Sequence, residues 1–211
     1  MVSMGFGYPL GIDLPGEKRG MIPNAKYYDK AYRGSWNGLT IISISIGQGE
    51  VTLTPLQIAN LGATIANRGY YITPHVVKSI ENDAIDTLYT QKKYTKVDRI
   101  HYEEVVEGMR MAVTGGTCRM ANLPDIEVCG KTGTAQNRGK DHSAFMGFAP
   151  MNNPKIAIAV YVENGGFGAV YGVPIGRLMI EQYLKGELTP QDEELATDIQ
   201  NRRIDYGIHE R

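Results

Sequence analysis

Only two of the 211 residues are cysteine, Cys118 and Cys129. Two thiols cannot make the disulfide framework of a small secreted scaffold, and their spacing is wrong for a zinc ribbon. Two readings of them stay open: one bridge across a hairpin in an oxidising compartment, or a pair of semi-buried thiols. Net charge is lacking too. A formal charge of −1 leaves no electrostatic footprint for nucleic acid or an anionic membrane surface. No apolar run approaches the ~20 residues that cross a bilayer. The opening MVSMGFGYPLG has no basic segment ahead of an apolar one, so it does not read as a signal peptide. If the protein works outside the cytosol, its export signal is expected outside these residues.

What is present suits one globular unit. Apolar residues make up 42% and charged residues 21%, enough to bury a sizeable core. The first forty residues are rich in Gly, Pro and Tyr, and GIDLPGEKRG predicts a short strand followed by turns at Pro15-Gly16. Leu39 to Ile46 alternates loosely and stops at Gly47-Gln48-Gly49, which predicts a strand or buried extended segment. TPLQIANLGATIANRG predicts a mostly buried helix: Thr54 caps it, Pro55 takes the first position, a broad apolar surface runs from Leu56 to Ala66, and Gly69 stops it. YYITPHVVKSI reads as extended, with Pro74 at an edge or strand end. Residues 82–97 read as a polar excursion or hairpin. HYEEVVEGMRMAVT predicts a second helix burying Val105, Val106, Met109 and Val113.

The last third alternates. IEVCGKTGTAQ, HSAFMGFAP and KIAIAVYVEN predict three consecutive strands. Ile156, Ile158, Val160 and Val162 share one face of the third. A short Asn153-Pro154 turn makes the pairing antiparallel. GVPIGRLMIEQYL predicts a helix packed on that sheet. The fold class is therefore α+β: three consecutive antiparallel strands with packed helices, over residues 1–186. Residues 187–211 read as a charged, partly helical or loose tail.

The chemistry concentrates in CGKTGTAQ, residues 129–136. Gly130-Lys131-Thr132 invites comparison with a phosphate-cradling loop, but that loop needs a glycine where Asp125 stands, and Ile126-Glu127-Val128 favours a strand. A dinucleotide fingerprint is missing. Histidines 75, 101, 142 and 209 show no metal-ligand spacing. Asp141-His142-Ser143 has the residue types of a hydrolase triad, but neighbours on a strand point to alternate faces. No cofactor is called for. On an edge strand, Lys131 supplies positive charge at the start of a groove, and Thr132 and Thr134 turn hydroxyls to one side. Gly133 removes a side chain that would block backbone approach. Such a strand pairs with an extended acyl substrate, captures a carboxylate and offers a backbone N–H to an oxyanion.

GIDLPGE, SIGQGEVTLTPLQIANLGATIANRG, GKTGTAQ, FMGFAP and AVYVENGG occur in the order found in class B penicillin-binding proteins. The chain resembles them from about Gly5 to about Leu184, most closely the elongation, penicillin-binding protein 2 type. The resemblance implies part of the penicillin-binding and serine β-lactamase-like transpeptidase fold. It implies a D,D-transpeptidase on the periplasmic face of the bacterial inner membrane, cross-linking peptidoglycan stem peptides through an acyl-serine and inhibited by β-lactams. Lys131 would orient substrate, Thr132 and Thr134 would hold its terminal carboxylate, Gly133 would admit its backbone, and the Thr134 N–H would form half the oxyanion hole.

One departure from the family pattern bears on activity. None of Ser3, Ser35, Ser43, Ser45, Ser79 and Ser143 has a lysine three residues later, so the family's S-x-x-K nucleophile motif is missing. Ser35-Trp36-Asn37 matches S-x-N by letters but follows GIDLPGE, whereas the family's own motif precedes it; the match reads as coincidental. Nucleophile, membrane anchor and contacts to elongation-machinery membrane proteins are expected upstream of residue 1. The isolated chain is expected to be inactive and to self-associate over surfaces left uncovered. Alternatives are a non-catalytic sensor on the same fold and the division-specific paralogue. Trp36 and Tyr27-Tyr28 read as packing, and Gly47-Gln48-Gly49 as a turn beneath the site.

Overall fold

A computed structural model describes residues 1–204 and 206. Its helices are α1 (Ala25–Ala31), α2 (Gly38–Ser45), α3 (Pro55–Ala66), α4 (Ile100–Thr114), α5 (Gly172–Lys185) and α6 (Pro190–Asn201). Its strands are β1 (Tyr70–Tyr71), β2 (Lys93–Tyr94), β3 (Cys129–Ala135), β4 (His142–Ala149) and β5 (Ile156–Val162). The three predicted consecutive strands form one antiparallel sheet in the order β3-β4-β5, and β1 and β2 pair separately.

The alternating side chains of this sheet divide the interior in two. Phe145 and Ile158 face α5 and join Val173 and Ile180 in one core, which also takes in Val113, Cys118 and Val128. Cys129 and Phe148 lie in the second core, with Ile65 and Ala66 of α3 and Tyr102, Val106 and Met109 of α4. Val105, predicted to be buried, is exposed on α4, and Tyr102 takes its place inside. The cysteines are free thiols, one in each core. The bridge left open by the sequence does not form. Burial pushes the Cys129 thiol up to about 12 and raises Cys118 as well.

Phe145 fixes the spacing of the first core. A Cβ at Gly176 of α5 would lie 2.4 Å from two of its ring carbons. One at Gly130 of β3 would lie 2.5 Å away, and one at Gly147 would lie 2.7 Å away. Three backbones therefore reach van der Waals distance of a single ring because none carries a side chain there.

Helix α3 has the predicted Thr54 cap, as a full capping box with Gln57, and Pro55 at its first turn. Its most buried side chains, however, are polar. Gln57 is 1% exposed, and Asn60 and Thr64 are equally inaccessible. Gln57 Nε2 donates to the carbonyls of Gly5, Tyr8 and Arg19, and Asn60 Nδ2 donates to that of Met4. The N-terminal segment is thus tied to α3 through its own backbone acceptors. Leu56, predicted on the buried surface, is exposed instead.

Two further expectations are corrected. GIDLPGEKRG contains no strand: the Glu17 carboxylate gathers the backbone N–H groups of Leu10, Gly11 and Ile12, so they never join a ladder. Leu39–Ile46 is neither a strand nor buried. Asn37 caps it as helix α2 by accepting from the Leu39 N–H. No strand lies beside it to accept ladder hydrogen bonds, so the local helical ones form. Leu39, Ile42 and Ile46 are 75%, 62% and 69% exposed. Trp36 does pack, tilted against Tyr28, with its Nε1 donating to Asp29.

Helix α6 is secured by buried charge. Arg177 Nε donates to both Asp192 oxygens at 2.8 and 3.0 Å and its Nη1 to the Met120 and Asn122 carbonyls. Lys185 bridges Glu181 at 3.1 Å and Asp125 at 3.0 Å. Burial pushes Glu181 up, and the neighbouring Asp192 carboxyl adds to the shift. Burial pushes Asp192 up as well, but the adjacent Glu181 carboxyl and the Arg177 guanidinium outweigh it and leave Asp192 below the usual carboxylate value.

Two outcomes are expected. Gly176→Ala, which gains about 0.5–1 kcal/mol in an ordinary helix interior, should instead destabilise by about 1–3 kcal/mol through overpacking against Phe145. Urea unfolding followed by circular dichroism reads the sign. Secondly, α6 docking should weaken as pH rises above the ordinary glutamate range. The raised Glu181 contributes fully below the ordinary glutamate value, and that contribution is lost as pH rises through its folded value. The lowered Asp192 contributes above the ordinary aspartate value and is lost as pH falls. Hydrogen exchange of α6 amides should therefore accelerate as pH rises above the ordinary glutamate range, beyond the intrinsic rate increase. Glu181→Gln should abolish that excess, and an excess unchanged in the variant would count against Glu181 as its source.

Candidate functional site

Strand β3 is an edge of its sheet, so one side carries no partner strand. Its register puts Lys131 opposite Met146, Thr132 opposite Phe145, Gly133 opposite Ala144 and Thr134 opposite Ser143. Lys131 and Gly133 therefore turn towards α3, and Thr132 and Thr134 towards the α5 side. Lys131 is exposed, with its Nζ donating to the Thr132 carbonyl at 2.9 Å. Thr132, Gly133 and Thr134 are half-buried.

On the Lys131 side an apolar groove of about 230 Å³ separates β3 from α3. Pro55, Ile58 and Leu61 form one wall, and Ala144, Met146 and Tyr161 form the other. It continues past Ala135 into a second space of about 330 Å³ bounded by Gly47, Val51 and Leu53. The exposed Lys131 thus lines the rim of a non-polar trough.

The threonine side holds a residue that the sequence reading missed. Thr117 Oγ1 lies 2.8 Å from Thr132 Oγ1, so a second hydroxyl stands beside the strand. Thr117 follows α4 through Gly115-Gly116, and Cys118 just after it is anchored in the core. The sole sequence signal was a Gly-Gly-Thr in coil fourteen residues before Lys131. Also on this side, the loop after β5 crosses close to the strand: a Cβ at Gly168 would lie 2.8 Å from the Gly133 carbonyl oxygen. Ser143 fixes that loop by donating to the Phe167 carbonyl at 2.9 Å and accepting from the Gly172 N–H at 3.0 Å.

Asp141, His142 and Ser143 do not converge. Ser143 is fully buried in that clamp, while His142 Nδ1 accepts from the Asn164 N–H and its ring packs against Tyr161 on the other face. Asp125, which replaced the glycine of a phosphate loop, pairs with Lys185. Asn37 of Ser35-Trp36-Asn37 is occupied as the α2 cap. Among the described residues no three His, Cys, Asp or Glu side chains gather as metal ligands; His209 lies outside them. No described helix is long and apolar enough to cross a membrane.

Residues 1–180 match the family described as Penicillin binding protein transpeptidase domain. The chain is similar to the peptidoglycan D,D-transpeptidase MrdA of Haemophilus influenzae, at 32% identity over 96% of this chain and 34% of that protein. Among solved structures it is similar to Pseudomonas aeruginosa PBP2 in complex with WCK 5153, at 34% identity and a TM-score of 0.79, covering 90% of this chain and 43% of that one. It is also similar to penicillin-binding protein A of M. tuberculosis in its imipenem acyl-enzyme complex, at 29% identity and a TM-score of 0.71, covering 87% and 40%. The chain thus spans about a third of the length of the curated relative it matches.

Proposed function

The chain belongs to the penicillin-binding protein transpeptidase family, and from that premise we propose that it supplies the substrate-binding wall of an elongation-type peptidoglycan D,D-transpeptidase. The observation that carries this reading is the Lys131-Thr132-Gly133-Thr134 edge strand, with its lysine at the rim of an apolar groove and the Thr117 hydroxyl beside Thr132. In the reaction a serine oxygen attacks the penultimate D-alanine carbonyl of a stem peptide. The bond to the terminal D-alanine breaks, that residue leaves as the free amino acid, and an amine of a second stem then displaces the serine. β-Lactams stop at the acyl stage.

The roles follow from chemistry. Lys131 orients the donor peptide and offers positive charge to its anionic groups. Thr132 and Thr134 take the terminal carboxylate, with Thr117 holding the Thr132 hydroxyl in position. Gly133 lets the peptide backbone come close, and the Thr134 N–H faces the developing oxyanion. The nucleophile comes from outside these 211 residues, since no serine here has the required lysine. The same upstream sequence would carry the contacts to elongation-machinery membrane proteins and the anchor at the periplasmic face.

Fluorescent penicillin tests the reading twice. The 211-residue chain alone should show no covalent band on a denaturing gel. Expressed with its native upstream sequence it should label, and Lys131→Ala should slow labelling about 10²–10³-fold. A serine-dependent band from the chain alone would refute the missing nucleophile. An upstream sequence without Ser-x-x-Lys would turn the assignment to a non-catalytic sensor.

A further inference from the structure

A wide cleft lies away from β3. It has a volume of about 820 Å³ and lies between the end of α3, the β1–β2 pair, the start of α4 and the β4–β5 turn. Tyr70 and Tyr94 stand together on its wall, with ring centroids 5.7 Å apart and planes inclined by 51°. Lys92 Nζ, which also lines the cleft, lies 4.4 Å from the Tyr70 centroid, a cation against that ring. Tyr94 is 70% exposed, an unusual outlay of aromatic surface for a strand of two residues. Around the rings are Asn67, Arg99 and Asn152, whose side chains have no hydrogen-bond partner among the described residues.

Position and chemistry narrow the ligand. The volume falls in the range of small-ligand sites, about 300–1,000 Å³. Both signs of charge line it, Lys92 and Arg99 with Asp98 and Glu103, so a purely polyanionic ligand gains little. β1 and β2 are two residues each, so the cleft has no long strand edge on which a peptide could add. Ring faces beside free amides, a guanidinium and a carboxylate suit a ligand with apolar C–H faces and a rim of hydroxyl and acetamido groups. Those are the features of an N-acetylated sugar.

We infer that this cleft binds the glycan strand, an N-acetylhexosamine polymer, while β3 holds the peptide that hangs from it. The naming of the polymer rests on the proposed transpeptidase function; the saccharide chemistry of the cleft does not. Strand β4 joins the two places. Ser143 at its start pairs with Thr134, and Asn152 at the cleft rim follows its end. The six steps from Ser143 to Ala149, at about 3.3 Å each, span roughly 20 Å, so glycan and peptide are held at opposite ends of one rigid strand.

The test uses peptide-free strands of alternating N-acetylglucosamine and N-acetylmuramic acid, coupled to beads by their reducing ends. The chain should be retained. Tyr94→Ala and Arg99→Ala should each weaken retention about tenfold, and Tyr94→Trp, which keeps a platform, should restore it. Both residues are exposed, and circular dichroism confirms that the variants fold. Lys131→Ala should leave retention unchanged. Absence of retention, equal retention by all variants, or loss on Lys131→Ala alone would each overturn the inference. Penicillin labelling reads the β3 site separately: retention without labelling of the longer protein would remove the transpeptidase reading and leave the cleft standing.

Discussion

The fit of one phenylalanine ring among bare backbones sets the geometry on which the rest depends. Phe145 is central in β4, and Gly130, Gly147 and Gly176 bring β3, β4 and α5 onto it at distances no side chain would tolerate. Gly130 immediately precedes Lys131. The depth at which the ring sits therefore fixes the height of β3 relative to β4, and with it where the lysine and threonines emerge. On the opposite face small residues do the same work more loosely. Gly62 of α3 comes close to Met146 and Ala157, and the alanines of β5 keep that helix near the sheet while leaving a trough beside Lys131. One face of the sheet is filled to contact and the other leaves room, and the candidate site lies at the boundary.

Charge and amide chemistry fasten what packing alone would leave mobile. The N-terminal segment has few apolar side chains to bury, so it is held by carbonyls pointing at Gln57 and Asn60 and by amides pointing at Glu17. The C-terminal helix α6 is held by Arg177 and the Glu181–Asp192 pair. Both ends of the described chain thus depend on buried polar groups that have to be satisfied together, which gives specificity of placement more than raw stability.

Much of the sheet, with the candidate Lys131–Thr134 segment on its edge strand, could be read from the amino acids. Alternation over Ile156–Val162, the Asn153-Pro154 turn and the Thr54-Pro55 helix start each follow from local rules, and local rules governed there. Where a distant partner decides, local reading failed. Leu39–Ile46 has the composition of a strand, yet a strand needs a neighbour, and Asn37 offers a helix cap instead. Gln57 and Asn60 look like a solvent face because helical spacing alone cannot show that backbone carbonyls fifty residues earlier will cover them. Leu56 and Val105 were placed inside because they are apolar, while Tyr102 is the longer side chain on the correct face of α4. Thr117 was invisible for a related reason: its role exists only through a 2.8 Å contact made after β3 and the α4 terminus have come together. The Tyr70–Tyr94 platform likewise joins residues from two separate strands.

The placement of the two thiols on opposite faces of the sheet has a consequence for the life of the chain in oxidising surroundings. The sheet acts as a partition. Cys118 and Cys129, eleven residues apart in the sequence, never share a compartment of the folded protein. Each is shut from solvent and held protonated by burial, and a protonated thiol is a poor nucleophile. Once folded, the chain is chemically quiet towards disulfide exchange. Its exposure to oxidants is confined to the interval before β3 has docked against β4, when the two sulfurs are still free to meet.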